Sequence, residues 1–191
     1  VMAPTTSGLR LFTINEGVVR FGSQAAVPSS QTLTFSGTNF ATAPLIFVPQ
    51  DSGTLDLNGQ NLNIAGLQGS GLVTNNSGSL ATLTLMPLQG ASNTFSGLIA
   101  GNTALRVIGT GTQTLAFNQT YSGGTRVGTA ALVSTEGIFT PSGVLSTTTV
   151  NGLGTGPVTL EGGALNLNFN YGGLSGSMNE VVNNVQLIRF G

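Results

Sequence analysis

The sequence contains no cysteine, no histidine, no lysine and no tryptophan. Without cysteine there is neither a disulfide framework nor a thiolate metal site. Without histidine and lysine the commonest general bases, the imidazole ligands and the phosphate-binding ammonium are all missing. Charged residues make up 6% of the 191 positions, against about a quarter in an ordinary soluble domain. The basic residues are five arginines scattered from Arg10 to Arg189, and the net charge is −1, so no basic patch for nucleic acid is expected. No apolar run approaches the roughly 20 residues of a membrane helix. The chain opens on Val1 with no signal-peptide pattern, and reads as one domain that is a processed or partial segment of a longer protein.

What is present is glycine, at 29 residues, together with abundant serine, threonine and asparagine. That composition alone would suit a disordered chain, but 39% of the residues are hydrophobic, and they alternate, as disordered chains do not. Leu115 and Phe117 alternate with polar neighbours, the period of a strand with one buried face. Gly123-Gly124 interrupts the run with a pair able to take a tight, positive-φ corner. Thr125 to Val127 resumes an extended segment, Gly128-Thr129-Ala130 turns, and Ala131 to Val133 is extended again. Short strands joined by corners of a few residues imply an all-β solenoid, in which each strand pairs with the coils above and below. Low charge fits such a stack, because like charges on successive coils would lie about 4.8 Å apart.

The same grammar recurs along the chain. Phe12 and Ile14 alternate before Asn15-Glu16-Gly17, and Leu33 and Phe35 share a face. Thr54–Asn58 and Asn61–Ile64 read as paired strands around an Asn58-Gly59 corner. The expected core holds Leu55, Leu57, Ile64, Leu83, Leu85, Leu115, Phe117, Val127, Leu165 and Leu167. Pro141 to Thr149 reads as a polar interlude bulging from the coil, and Tyr171 to Met178 as a loop. Gly53 to Asn58 recurs as Gly163 to Asn168, and Ile14 to Phe21 as Val127 to Ser134, each roughly 110 residues later. At about 20 to 25 residues per coil, on the order of eight coils are expected.

Gln119-Thr120-Tyr121-Ser122-Gly123-Gly124-Thr125-Arg126-Val127 resembles the N-T-Y-T-G-G-T-T-V core of the autotransporter-associated β-strand repeat, also called the passenger-associated transport repeat. Leu55 to Gly59, Ile64 to Gly71, Asn93 to Gly97 and Leu153 to Thr159 resemble its L-D-L-N-G, V-G-G-L-S-G-S-G, T-F-S-G and L-G-T-G-x-V-T elements. The order of these elements over most of the chain carries the resemblance. Ala130 stands where the family's corner has glycine, and the approach from Arg106 to Thr112 lacks the family's lysine. The resemblance implies a right-handed parallel β-helix exported to a bacterial cell surface.

Candidate sites are few, and no cofactor or metal is expected. Asp51 and Asp56 are close enough in sequence to consider for Ca²⁺ or for a carboxylate pair. Alternation with Leu55 and Leu57 sets Asp56 outward and solvated, however, and Asp51 sits in a turn-like Asp-Ser-Gly. Tyr121 and Tyr171, both beside glycine, are the candidate exposed aromatics for a glycan or surface partner. Val18-Val19-Arg20-Phe21 is echoed by Leu187-Ile188-Arg189-Phe190. Two ends built alike could stack head to tail into a homopolymer, although copies of one repeat strand would look the same. The leading expectation is a non-enzymatic secreted or surface solenoid acting as fibre, matrix or stalk. The alternatives are an adhesin-type module for a glycan or host protein and, third, a polysaccharide-active enzyme, against which the scattered acids argue.

Overall fold

A computed structural model of the chain describes residues 12–22, 32–35, 53–129, 133–135, 138–140, 142–171 and 174–187. The described residues form strands, turns and bends and no helix. The strands fall on three faces, visited in a repeating order. Face 1 stacks β1 (Phe12–Ile14), β3 (Thr32–Phe35), β6 (Gly66–Gly69), β9 (Ser92–Phe95), β12 (Thr112–Leu115), β16 (Val144–Thr147) and the second half of β17 (Val158–Tyr171). Face 2 stacks β2 (Val18–Arg20), β4 (Thr54–Asp56), β7 (Leu72–Thr74) and β10 (Leu98–Ile99). Face 3 stacks β5 (Leu62–Ile64), β8 (Ala81–Leu85), β11 (Thr103–Val107), β13 (Thr125–Gly128) and the first half of β17. Because β17 belongs to faces 1 and 3, those two join as one 12-stranded sheet. All pairing within the faces is parallel. The architecture is β-solenoid-like.

On face 3 the step between neighbours from β5 to β13 is 20 to 22 residues: Leu62 stacks on Leu83, Leu83 on Leu105, and Leu105 on Thr125. Steps of 32 to 36 residues also occur, from Thr112 to Val144, Thr125 to Val158, Leu33 to Leu67 and Val18 to Thr54. The extra length between β13 and β16 holds an antiparallel hairpin of β14 (Val133–Thr135) and β15 (Ile138–Thr140). The expected polar bulge at Pro141 to Thr149 is therefore misplaced. Val144 to Thr147 is a coil strand with Leu145 buried, and the excursion precedes it.

Constant register turns alternation into columns of side chains. One face-3 column runs Ile64, Leu85, Val107, Val127 and Leu160, all fully buried. Full burial of one such aliphatic side chain is worth about 1.5–3 kcal/mol. Of the expected core, Leu55, Leu57, Ile64, Leu83, Leu85, Leu115, Val127 and Leu165 are buried. Leu167 is only partly buried. Phe117 is half-buried rather than core, because β12 ends at Leu115 and the alternation stops there.

Gly69 marks the tightest approach on face 1. It pairs with Phe35 on one side and Phe95 on the other, and its φ is 85°. A Cβ there would lie 1.7 Å from the Phe35 carbonyl oxygen. With no side chain between them, the rings of Phe35 and Phe95 sit 5.6 Å apart, tilted by 50°, an arrangement favourable for aromatic pairs.

Three further expectations change. Asn58 and Gly59 do form a positive-φ corner, yet β4 and β5 do not pair with each other. Each pairs with the adjacent coils, because consecutive strands lie on different faces. The two sequence repeats are not structural repeats: Leu55 lies on face 2 and Leu165 on face 1, while Ile14 lies on face 1 and Val127 on face 3. What recurs is corner chemistry, which any face can use. The supposed loop from Tyr171 to Met178 is mostly strand: β18 (Leu174–Leu187) runs antiparallel along β17.

Candidate functional site

The residues proposed for end-to-end stacking separate. Val18 to Arg20 forms the outermost strand of face 2, parallel to β4. Val18 is exposed and Val19 half-buried, while Phe21 is buried and its N–H donates to the Asp56 carbonyl. Leu187 ends β18, opposite Val158 on face 3 and antiparallel to the coils. Ile188, Arg189 and Phe190 lie outside the described residues. Within one chain the two segments thus differ in face and in direction. A chain that reverses to lay its last strand beside β17 satisfies β17's N–H and C=O groups itself.

Tyr121 is the clearest correction. It was expected at the surface and is fully buried. Face 2 has no regular strand in this coil, and single hydrogen bonds carry the stacking. Thr120 N–H donates to the Ile99 carbonyl, and Thr155 N–H donates to the Tyr121 carbonyl. The ring fills the space a regular strand's side chains would occupy, against the backbone of Gly154. Its hydroxyl lies 2.5 Å from Thr125 Oγ1, which donates to the Leu153 carbonyl. Thr125 has its one proton on Leu153, so Tyr121 is the donor to Thr125. Tyr171 lies in β17 opposite Leu174.

Asp56 is likewise buried instead of solvated. Alternation misleads here because β4 ends at Asp56 and the corner's N–H groups need an acceptor. Oδ1 accepts from Asn58 N–H (3.0 Å) and Asn76 N–H (3.2 Å), and Oδ2 from Arg20 Nε (2.9 Å). Burial pushes the carboxyl's pKa up, but the Asn76 and Asn58 bonds and the Arg20 guanidinium outweigh it, so the pKa lies below its ordinary value of 3.8. A depressed folded pKa means that this stabilisation is complete above the unfolded carboxyl's pKa and is lost as pH falls through the folded one. Acid titration of stability should therefore show a loss below about pH 4 that is absent in Asp56→Asn. At neutral pH that variant should cost only about 1 kcal/mol, since the amide keeps an acceptor oxygen and Arg20 is half exposed. Equal acid sensitivity in both proteins would remove Asp56 from this role. Asp51 lies outside the described residues.

Further buried polar side chains, which alternation had not singled out, serve the backbone. The ladder between β6 and β9 is reduced to the Gly69–Phe95 pair. Beside it, Gln113 Oε1 accepts from Leu67 N–H and Nε2 donates to the Leu67 carbonyl, both at 3.0 Å. Gln119 does the same at the edge of β10, accepting from Ile99 N–H (2.6 Å) and donating to the Gly97 carbonyl (3.0 Å). Asn75 at the face 2–face 3 corner accepts from Gly59 N–H and donates to the Ser79 and Asn102 carbonyls. In each case a side-chain amide stands in for a missing peptide group.

The outer side of face 3 carries a groove of about 340 Å³ lined by Leu80, Thr82, Ala104, Arg106, Arg126 and Thr159 among others. Register places Arg106 directly against Arg126 on the next coil, between Thr84 and Thr159. Arg126 pairs with Glu161 at 3.3 Å. Arg106 Nε is buried and has no hydrogen-bond partner among the described residues. No cluster of three or more potential metal ligands occurs among the described residues. Comparison with protein-family models, curated proteins and solved structures yields no match.

Proposed function

We propose that this chain is a right-handed parallel β-helix from an exported protein, outside the cell or on a bacterial surface, acting as a non-enzymatic fibre, matrix or stalk element. The observation that carries this reading is where the buried polar groups point. Gln119, Asn75 and Asp56 bond to the backbone of the adjacent coil and Gln113 to that of the coil beyond it, so the chain's polar chemistry holds the stack together. The repeating passage over three faces and the buried columns support an element whose length grows with the number of coils. The motif from Gln119 to Val127 supports the exported class by resemblance. Within it Gln119 bonds backbone, Tyr121 fills the core and Gly124 turns with a φ of 88°, so the residues that carry the likeness are those that build the coil.

Homopolymer formation by end-to-end stacking belongs to the fibre reading, with Val18 to Phe21 and Leu187 to Phe190 as the segments that would meet. Negative-stain electron microscopy of the purified protein should show short rods, joined end to end at high concentration. Compact round particles would refute the solenoid rod, and rods that stay single at millimolar concentration would refute the polymer. The second reading, an adhesin-type module, is favoured by the face-3 groove and no longer by Tyr121.

A further inference from the structure

Charge is scarce in this chain, yet two of its five basic residues are stacked on each other. Neighbouring strands lie about 4.8 Å apart, and like charges directly opposite one another destabilise a sheet. Glu161 answers one of the two guanidinium groups, 3.3 Å from Arg126. Arg106 keeps a buried Nε with no partner among the described residues, beside a groove large enough to seat part of a ligand. An arrangement that repels itself and leaves a donor unmet is completed by an anion between the two arginines.

We propose that the face-3 groove binds an acidic polysaccharide, with a sugar carboxylate held by Arg106 and by Arg126 as it exchanges Glu161 for the ligand. The guanidinium fork fits a planar carboxylate with two parallel hydrogen bonds. Thr82 and Thr159 place hydroxyls along the same groove for sugar hydroxyls. The alternatives fit less well. The lining contains no aromatic side chain on which a nucleobase could stack. An extended acidic peptide repeats its same-side groups about 6.8 Å apart, out of step with the roughly 4.8 Å spacing of the strands. This inference is independent of the fibre reading: a rod can bind the glycan or lack it.

The test is calorimetric titration of the whole chain at low salt with oligogalacturonate, with its neutral methyl ester, and with single-stranded DNA. Oligogalacturonate should bind, the ester should not, and affinity should fall as salt rises. Arg106→Gln should weaken binding about tenfold or more, the loss expected for charge-assisted hydrogen bonds. Glu161→Gln should strengthen it several-fold, by about half a decade, because Arg126 is released from its competitor. A purely structural role for these residues would not move affinity in opposite directions. Absence of binding by the wild type, equal binding of the ester, tighter binding of DNA, or an Arg106→Gln variant that binds like wild type would each overturn the proposal. If Arg106→Gln does not fold, Arg126→Gln and Glu161→Gln decide the matter, and changes of the same sign refute it.

Discussion

Replacing Tyr121 with alanine should destabilise the protein by about 3–5 kcal/mol, the cost of emptying a large buried aromatic site. Tyr121 heads the fully buried side chains by volume, and it occupies a coil in which face 2 has no regular strand. Few other side chains can close that gap, since Gly154 supplies only backbone on the facing side. Tyr121→Phe separates the ring from the hydroxyl. It should cost only about 1 kcal/mol, because Thr125 keeps its bond to the Leu153 carbonyl. Urea denaturation of the three proteins, read at constant m, measures both differences. An exposed tyrosine serving as a glycan contact would instead give an alanine variant within about 0.5 kcal/mol of wild type. That result would return Tyr121 to the surface.

Tyr121 and Asp56 also show where reading by alternation stops. Period two sorts side chains correctly while a strand lasts, which is why Leu55, Ile64, Leu83, Leu85, Leu115 and Val127 lie inside as expected. These strands are two to five residues long outside β17 and β18, so many positions are corners, where parity has no meaning. Asp56 is the last residue of β4 and answers N–H groups of its own corner and of the next coil. Tyr121 sits in a stretch with no strand at all. Corners themselves were legible from glycine: Gly17, Gly59 and Gly124 all take positive φ.

Register was not legible, and with it the groove. Arg106 and Arg126 meet only because the step between β11 and β13 is 20 residues. Nothing in either residue's local sequence reveals that step. The same limit explains the misread repeats. Gly53 to Asn58 and Gly163 to Asn168 share corner and alternation chemistry, but which face receives them depends on how many residues intervene, including the hairpin of β14 and β15.

Gln113 offers the sharpest test of how this stack is held. Its column on face 1 pairs it with Asn93 on one side and the fully buried Leu145 on the other, and it is itself fully buried. An apolar residue would seem the natural occupant. The reason for glutamine is that Leu67 N–H and C=O have no strand partner from β9 and bond its amide instead. Gln113→Ala should therefore cost about 2–5 kcal/mol, since two buried peptide groups each lose a partner at about 1–3 kcal/mol. Gln113→Leu restores the volume but not the bonds, so it should recover little of that loss. Gln113→Glu distinguishes bonding from shape. An ionised carboxylate still accepts from Leu67 N–H but faces the Leu67 carbonyl with no proton to donate, whereas the neutral acid has one. Burial and the opposed carbonyl both raise the introduced group's pKa. Stability of this variant should then be highest at acid pH and fall as pH rises through the raised value, a slope opposite to that of Asp56. Thermal melts of Gln113→Glu across the acid range read the sign directly. A leucine variant as stable as wild type, or a glutamate variant that weakens toward acid, would show that β6 and β9 do not depend on a side-chain amide between them.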